Sequence, residues 1–124
     1  MKQILLVFIG SGAGGSVRYL ADVAISRIYK NDFPLPILII NAMASMLVGI
    51  LITMAQEKQI LSPNAQWLLI TGFCGGMSTF STFSAQTLKL IETGQYISGV
   101  LNILLSVTVC IAFCFLGNWI IRYA

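Results

Sequence analysis

Thr71-Gly72-Phe73-Cys74-Gly75-Gly76-Met77-Ser78-Thr79-Phe80-Ser81-Thr82-Phe83-Ser84 is the stretch on which the fold turns. It lies inside residues 59–88, a run without Lys, Arg, Asp or Glu. Such a run exceeds the ~18–20 apolar residues that carry a helix across a bilayer, so the stretch sits at membrane depth. Three glycines within five residues, Gly72, Gly75 and Gly76, weaken helix continuity there. A helix broken in lipid frees amides and carbonyls, which are tolerated only when buried in protein or lining a watery cavity. Broken helices recur as ion sites, with freed carbonyls facing cations and half-helix N-termini facing anions. The glycines therefore predict an ion site. A kink that serves packing is the plainer alternative.

The rest of the chain agrees with membrane depth. Of its 124 residues 57% are hydrophobic and only 9% charged, far too few charges to cover a soluble domain of this size. Residues 33–56 and 93–121 are further uncharged runs of spanning length, and a first span needs Arg18 and Asp22 inside it or near its end. The predicted architecture is all-α and integral to the membrane, one domain over 1–124, with helices at about 3–29, 35–56, 64–92 and 95–122. Lys30-Asn31-Asp32-Phe33-Pro34 and Ser62-Pro63-Asn64 punctuate the loops, and Gly94 follows Glu92-Thr93 as a helix stop. The apolar N-terminus runs on into more helix, unlike a cleaved signal. No basic cluster points to nucleic acid. Cys74, Cys110 and Cys114, an odd number within apolar runs, argue against a disulfide framework, and Cys110 and Cys114 read as packing residues.

Leaving aside Arg18 within the first helix, four spans put Lys2, Lys58 and Arg122 on one side and Arg27, Lys30 and Lys89 on the other. An excess of Lys and Arg on cytoplasmic loops is what orients a membrane protein. A three-against-three balance supplies no excess, so both orientations, and hence antiparallel dimers, become accessible.

Several residues carry chemistry. Gly10 and Gly14, Ser11 and Gly15, and Gly12 and Ser16 form small-xxx-small pairs, fit either for packing within the chain or for an oligomer interface. Arg18 is costly in lipid unless paired or wet; Asp22 one turn on offers a pair, and an aqueous entrance is the alternative. Asn41, Ser45, Gly49 and Thr53 make a four-residue stripe on the second helix, and Asn102, Ser106, Cys110 and Cys114 repeat it on the fourth. After the glycines, Phe80 and Phe83 share a face, flanked by the hydroxyls of Ser78, Thr79, Ser81, Thr82 and Ser84. A small, strongly hydrated anion needs dense donors to replace its water, and hydroxyls and an asparagine amide supply them. Phenyl rings add a positive edge, and the lack of Lys or Arg here keeps binding weak enough for release.

Gly72-Phe73-Cys74-Gly75-Gly76-Met77-Ser78-Thr79-Phe80-Ser81-Thr82-Phe83 closely resembles the central signature of the Fluc/CrcB family of fluoride channels. Phe33-Pro34 ahead of Asn41, and Gly10–Gly15 ahead of Arg18-Tyr19, fall where that family has its other motifs. The resemblance spans the chain. It implies an antiparallel dual-topology homodimer with two fluoride pores and a central sodium ion, in agreement with the charge tally. By position it implies pore phenylalanines at Phe80 and Phe83, a pore asparagine at Asn41, and a polar track including Ser81 and Thr82. Asn102 and Ser106 match helix-four pore positions on spacing, the Gly75 and Ser78 carbonyls match the sodium ligands, and Arg18 resembles a vestibule arginine. Departures are Pro36-Ile37 for the family's usual Gly-Thr, Ala44 for a glycine, and Ser78 where threonine is common. Some relatives pair as heterodimers, so a related partner chain is a second expectation.

The resulting expectation is a channel that passively exports fluoride across the inner (cytoplasmic) membrane, with the ion, the lipid and a second copy as partners. A small proton-coupled multidrug-type transporter needs an intramembrane acid, and helices two to four hold none away from their ends. A non-conducting assembly subunit is the other alternative. Without histidine, paired carboxylates or a metal-ligand cluster, no enzyme is expected.

Overall fold

A computed structural model describes all of Met1–Ala124, and every element in it is helical. They are α1 (Lys2–Ile28), α2 (Leu35–Gln56), α3 (Pro63–Gln66), a π-helical stretch (Trp67–Cys74), α4 (Gly75–Met77), α5 (Phe80–Glu92) and α6 (Tyr96–Tyr123). Helices α1, α2 and α6 are each long and apolar enough to cross a membrane. The fourth rod is divided: α3, the π stretch and α4 make its first half, α5 its second.

Local chemistry sets the ends. Ser62 caps α3 by accepting from the Ala65 amide at 3.3 Å, and Pro63 follows where a missing N–H costs nothing. At the end of α5, Gly94 adopts φ +78°, which lets Gly94 N–H reach the Ile91 carbonyl and Gln95 N–H the Leu90 carbonyl at 2.8 Å. Those two bonds close a Schellman turn, and a side chain with a Cβ would be strained there.

Packing pairs α2 with α6 and α1 with the π stretch and α4. Small residues make both contacts close. A Cβ on Gly49 would overlap the Cys114 carbonyl oxygen, and one on Gly117 the Met46 carbonyl oxygen. Gly10 and Gly14 meet the carbonyl oxygens of Leu68 and Phe73 in the same way. Their small-xxx-small spacing therefore serves packing within the chain. Gly12, on another face, has nothing near it.

Ile37, Ile40, Ala44 and Met77 form the buried core, with Leu47, Phe73 and Phe83 packed on it. Elsewhere the surface is apolar: Phe8, Ile97 and Phe115 all stand largely exposed. In water a surface this greasy would aggregate; in lipid it is the ordinary outer face of a membrane protein. At one end of the molecule Arg122 Nε donates to Glu57 Oε2 at 2.9 Å, tying the ends of α6 and α2. Arg122 Nη2 also donates to Glu57 Oε1, and these two hydrogen bonds with the guanidinium charge hold the Glu57 carboxyl below its usual range.

Candidate functional site

The glycines of the signature do not themselves break the rod. Gly75 keeps helical angles, φ −62° and ψ −38°, and α4 runs on to Met77. Gly76 instead lets the backbone of Ser11 on α1 come close. The backbone leaves the helix at Ser78 (φ −75°, ψ 153°) and Thr79 (φ −149°, ψ 117°).

Asn41 holds that break open from the neighbouring helix. Its Oδ1 accepts from the Thr79 amide at 2.8 Å, and its Nδ2 donates to the Thr79 carbonyl at 3.2 Å. In a continuous helix the Thr79 amide would donate to the Gly75 carbonyl; here the side chain of α2 takes it. No backbone amide donates to the Ser78 carbonyl either. On the far side of the break, Thr79 Oγ1 accepts from the Thr82 amide at 3.2 Å and caps α5. Thr79 Oγ1 also donates to Thr82 Oγ1 at 3.1 Å. The positive end of the α5 dipole thus begins beside the break, where an anion is favoured.

A cavity of about 240 Å³ opens at this point, lined by Asn41, Ser45, Ser78, Thr79, Phe80 and Phe83, with Ser106 and Cys110 from α6. The Phe80 and Phe83 rings are 5.3 Å apart and tilted at 46°. Phe83 leans on the core, whereas Phe80 is 78% exposed.

The sequence-predicted residues divide between those the fold gathers and those it does not. Asn41, Phe80, Phe83 and Ser106 line the cavity together; Ser81, Thr82 and Asn102 do not. Asn102 is only 1% exposed, and its Nδ2 donates to Thr87 Oγ1 at 2.8 Å, which in turn donates to the Phe83 carbonyl at 2.8 Å. It clips α6 to α5 beneath the phenylalanine. Ser106 Oγ reaches back to Asn102 Oδ1 at 3.4 Å. Thr87 had no signal in the sequence beyond standing one turn after Phe83. Cys110, by contrast, lay on the same four-residue stripe as Asn102 and Ser106 and could have been included.

Arg18 and Asp22 do not form the expected pair. Arg122–Glu57 is the single salt bridge, and Arg18 Nε is buried without a partner. Asp22 accepts from Ser26 Oγ at 3.4 Å and turns instead to a polar cavity of about 380 Å³ that also holds Asp32, Gln86 and Lys89. An i,i+4 spacing makes such a pair available, but the two side chains meet different surroundings, Arg18 Nε buried and Asp22 facing the polar cavity.

Long apolar helices around a hydroxyl-lined, phenylalanine-walled cavity at a helix break define a multi-pass membrane protein. The family model described as CrcB-like protein, Camphor Resistance (CrcB), matches residues 5–118, and the chain belongs to that family. A protein of Coxiella burnetii (strain Dugway 5J108-111) is 46% identical over 118 residues, covering 93% of this chain and 94% of the relative. One of Shewanella frigidimarina (strain NCIMB 400) is 36% identical over 121 residues, covering 98% and 97%. Both relatives are named fluoride-specific ion channel FluC.

Proposed function

We propose that this protein is a fluoride-selective channel that lets the ion leave the cytoplasm down its gradient, lowering its toxicity. The carrying observation is the Asn41 clamp on Thr79, which turns a helix end, a row of hydroxyls and two phenylalanines toward one cavity. Family membership and the names of the two relatives support the same reading.

The chemistry follows from the donors. Asn41 spends Oδ1 and one Nδ2 hydrogen on Thr79, leaving one amide hydrogen for an anion. Ser45 and Ser106 add hydroxyls, and Phe80 and Phe83 add positive ring edges. These groups replace the water that fluoride sheds, and none carries a full charge that would trap it. Ser81 and Thr82 continue the track on α5, Asn102 supports it through Thr87, and Arg18 stands by the vestibule.

A single chain leaves Phe80 exposed, which supports assembly with a second copy in the opposite orientation. The balanced Lys and Arg tally supports it too. A related chain could take the second place, which co-purification from the native membrane would detect. Sodium at the dimer axis fits the residues present, because the Ser78 carbonyl receives no backbone hydrogen bond and the Gly75 carbonyl has lost the Thr79 amide. Those two carbonyls would hold it, and its charge would tie the paired breaks together. The inner membrane, at mid-depth of which the break would lie, is the location a fluoride exporter requires.

Purified protein in liposomes, with a potassium–valinomycin shunt, should release fluoride and retain chloride. Phe80→Ile and Phe83→Ile should suppress the release while the dimer survives. Equal leakage of both anions, or movement driven by a proton gradient as in a coupled transporter, would overturn the proposal.

A further inference from the structure

The three cysteines are not equivalent once folded. Cys74 is 1% exposed, packed between helices. Cys110 and Cys114 are partly exposed free thiols one turn apart on α6. Cys110 lines the anion cavity itself. Next to it lies a second, mostly apolar cavity of about 210 Å³, lined by both cysteines with Ala44, Ser45, Val48 and Ser78. Ser45, Ser78 and Cys110 belong to both cavities, so the second opens sideways off the first.

We infer that Cys110 and Cys114 form a two-thiol site for a soft metal ion of linear coordination, and that filling it obstructs the anion path. Spacing supports the chelate. Side chains four apart on a helix place their Cβ atoms about 5–6 Å from each other. Two thiolates on opposite sides of one ion, at about 2.3 Å each as in zinc–thiolate bonds, stand a similar distance apart. The donor set selects the ion class, since thiolates favour soft ions such as monovalent copper, and mercuric and silver ions share that preference. Harder cations would look to the Ser78 carbonyl instead. On binding, each thiol releases one proton to solvent and forms one sulfur–metal bond in place of a chloride or water ligand that the ion gives up; nothing is oxidised or reduced. The metal then occupies space beside Cys110 that a passing anion needs, and this consequence rests on the channel reading. The binding itself does not.

Mercuric chloride titrated into the purified full-length protein is the test, read by the ultraviolet absorption of the mercury–thiolate bond and by loss of reactive thiols. One equivalent per chain should consume both accessible thiols. Because the second bond is intramolecular, Cys110→Ser or Cys114→Ser should lower the affinity about a hundredfold, and Cys74→Ser should leave it unchanged. In liposomes, the same dose should stop fluoride release from the wild type and from Cys74→Ser. At a dose that fills the two-thiol site but not a lone thiol, Cys110→Ser and Cys114→Ser should each retain their own metal-free rate. Saturation at two equivalents, or undiminished binding by either serine variant, would overturn the site. Full binding with undiminished release would overturn its place on the anion path. Absence of release before metal is added would instead overturn the channel reading, and the absorption titration still decides the site.

Discussion

Replacing Asn41 with alanine removes the one side chain that holds the break from outside its own rod. Two bonds disappear, from the Thr79 amide at 2.8 Å and to the Thr79 carbonyl at 3.2 Å. Both are partly buried, so water replaces them poorly. An orphaned amide costs roughly 1–3 kcal/mol, and the second bond is worth about 0.5–1.5 kcal/mol net. The expected loss is about 2–4 kcal/mol, near the top of the ordinary range for a single substitution. The chain can recover part of it by closing the helix, since the Thr79 amide would then find the Gly75 carbonyl. That recovery turns Phe80 and the cap at Thr79 away from the cavity, so stability regained is conduction lost. Reversible unfolding in detergent measures the first quantity, and fluoride release from liposomes the second. Asn41→Asp keeps the acceptor for the Thr79 amide, but turns the donor to its carbonyl into a second oxygen and sets a negative charge in the cavity. It should conduct no better than Asn41→Ala. An Asn41→Ala protein with wild-type unfolding and wild-type release would refute the clamp.

Thr87→Val keeps the shape of Thr87 but strands the Asn102 amide, which is 1% exposed, and should cost about 1–3 kcal/mol by detergent unfolding. Gly49→Val forces a side chain into the Cys114 carbonyl and should cost at least about 1–3 kcal/mol, whereas Gly12→Ala, with open space around it, should be neutral. The Glu57 carboxyl titrates lower in the folded protein than in the unfolded chain, so its pairing with Arg122 stabilises fully above the ordinary carboxylate range. That stabilisation should fade as pH falls below 4.5 and through the lowered folded-state value. Comparing melting temperatures of the wild type and Glu57→Gln across pH checks it: the gap should be small, as for any exposed pair, and should close in acid.

Properties that depend on the chain alone were legible in its letters. Uncharged runs announce membrane spans because the bilayer tests hydropathy residue by residue. Ser62-Pro63 and Glu92-Thr93-Gly94 announce helix ends because caps and turns are local. The signature around Phe80 and Phe83 carries the family, and with it the kind of ion. What the sequence alone left open was which way each helix turns and what it meets. Gly75 and Gly76 looked like the break, yet they stay helical, and the break falls at Ser78 and Thr79. The cause is an asparagine 38 residues earlier in the chain, pressed against Thr79 by the packing of another helix. Packing between helices likewise buries Asn102 against Thr87 and brings Cys110 to the cavity wall. A helix presents every side chain somewhere; only its neighbours decide which become donors, which become core and which face the ion.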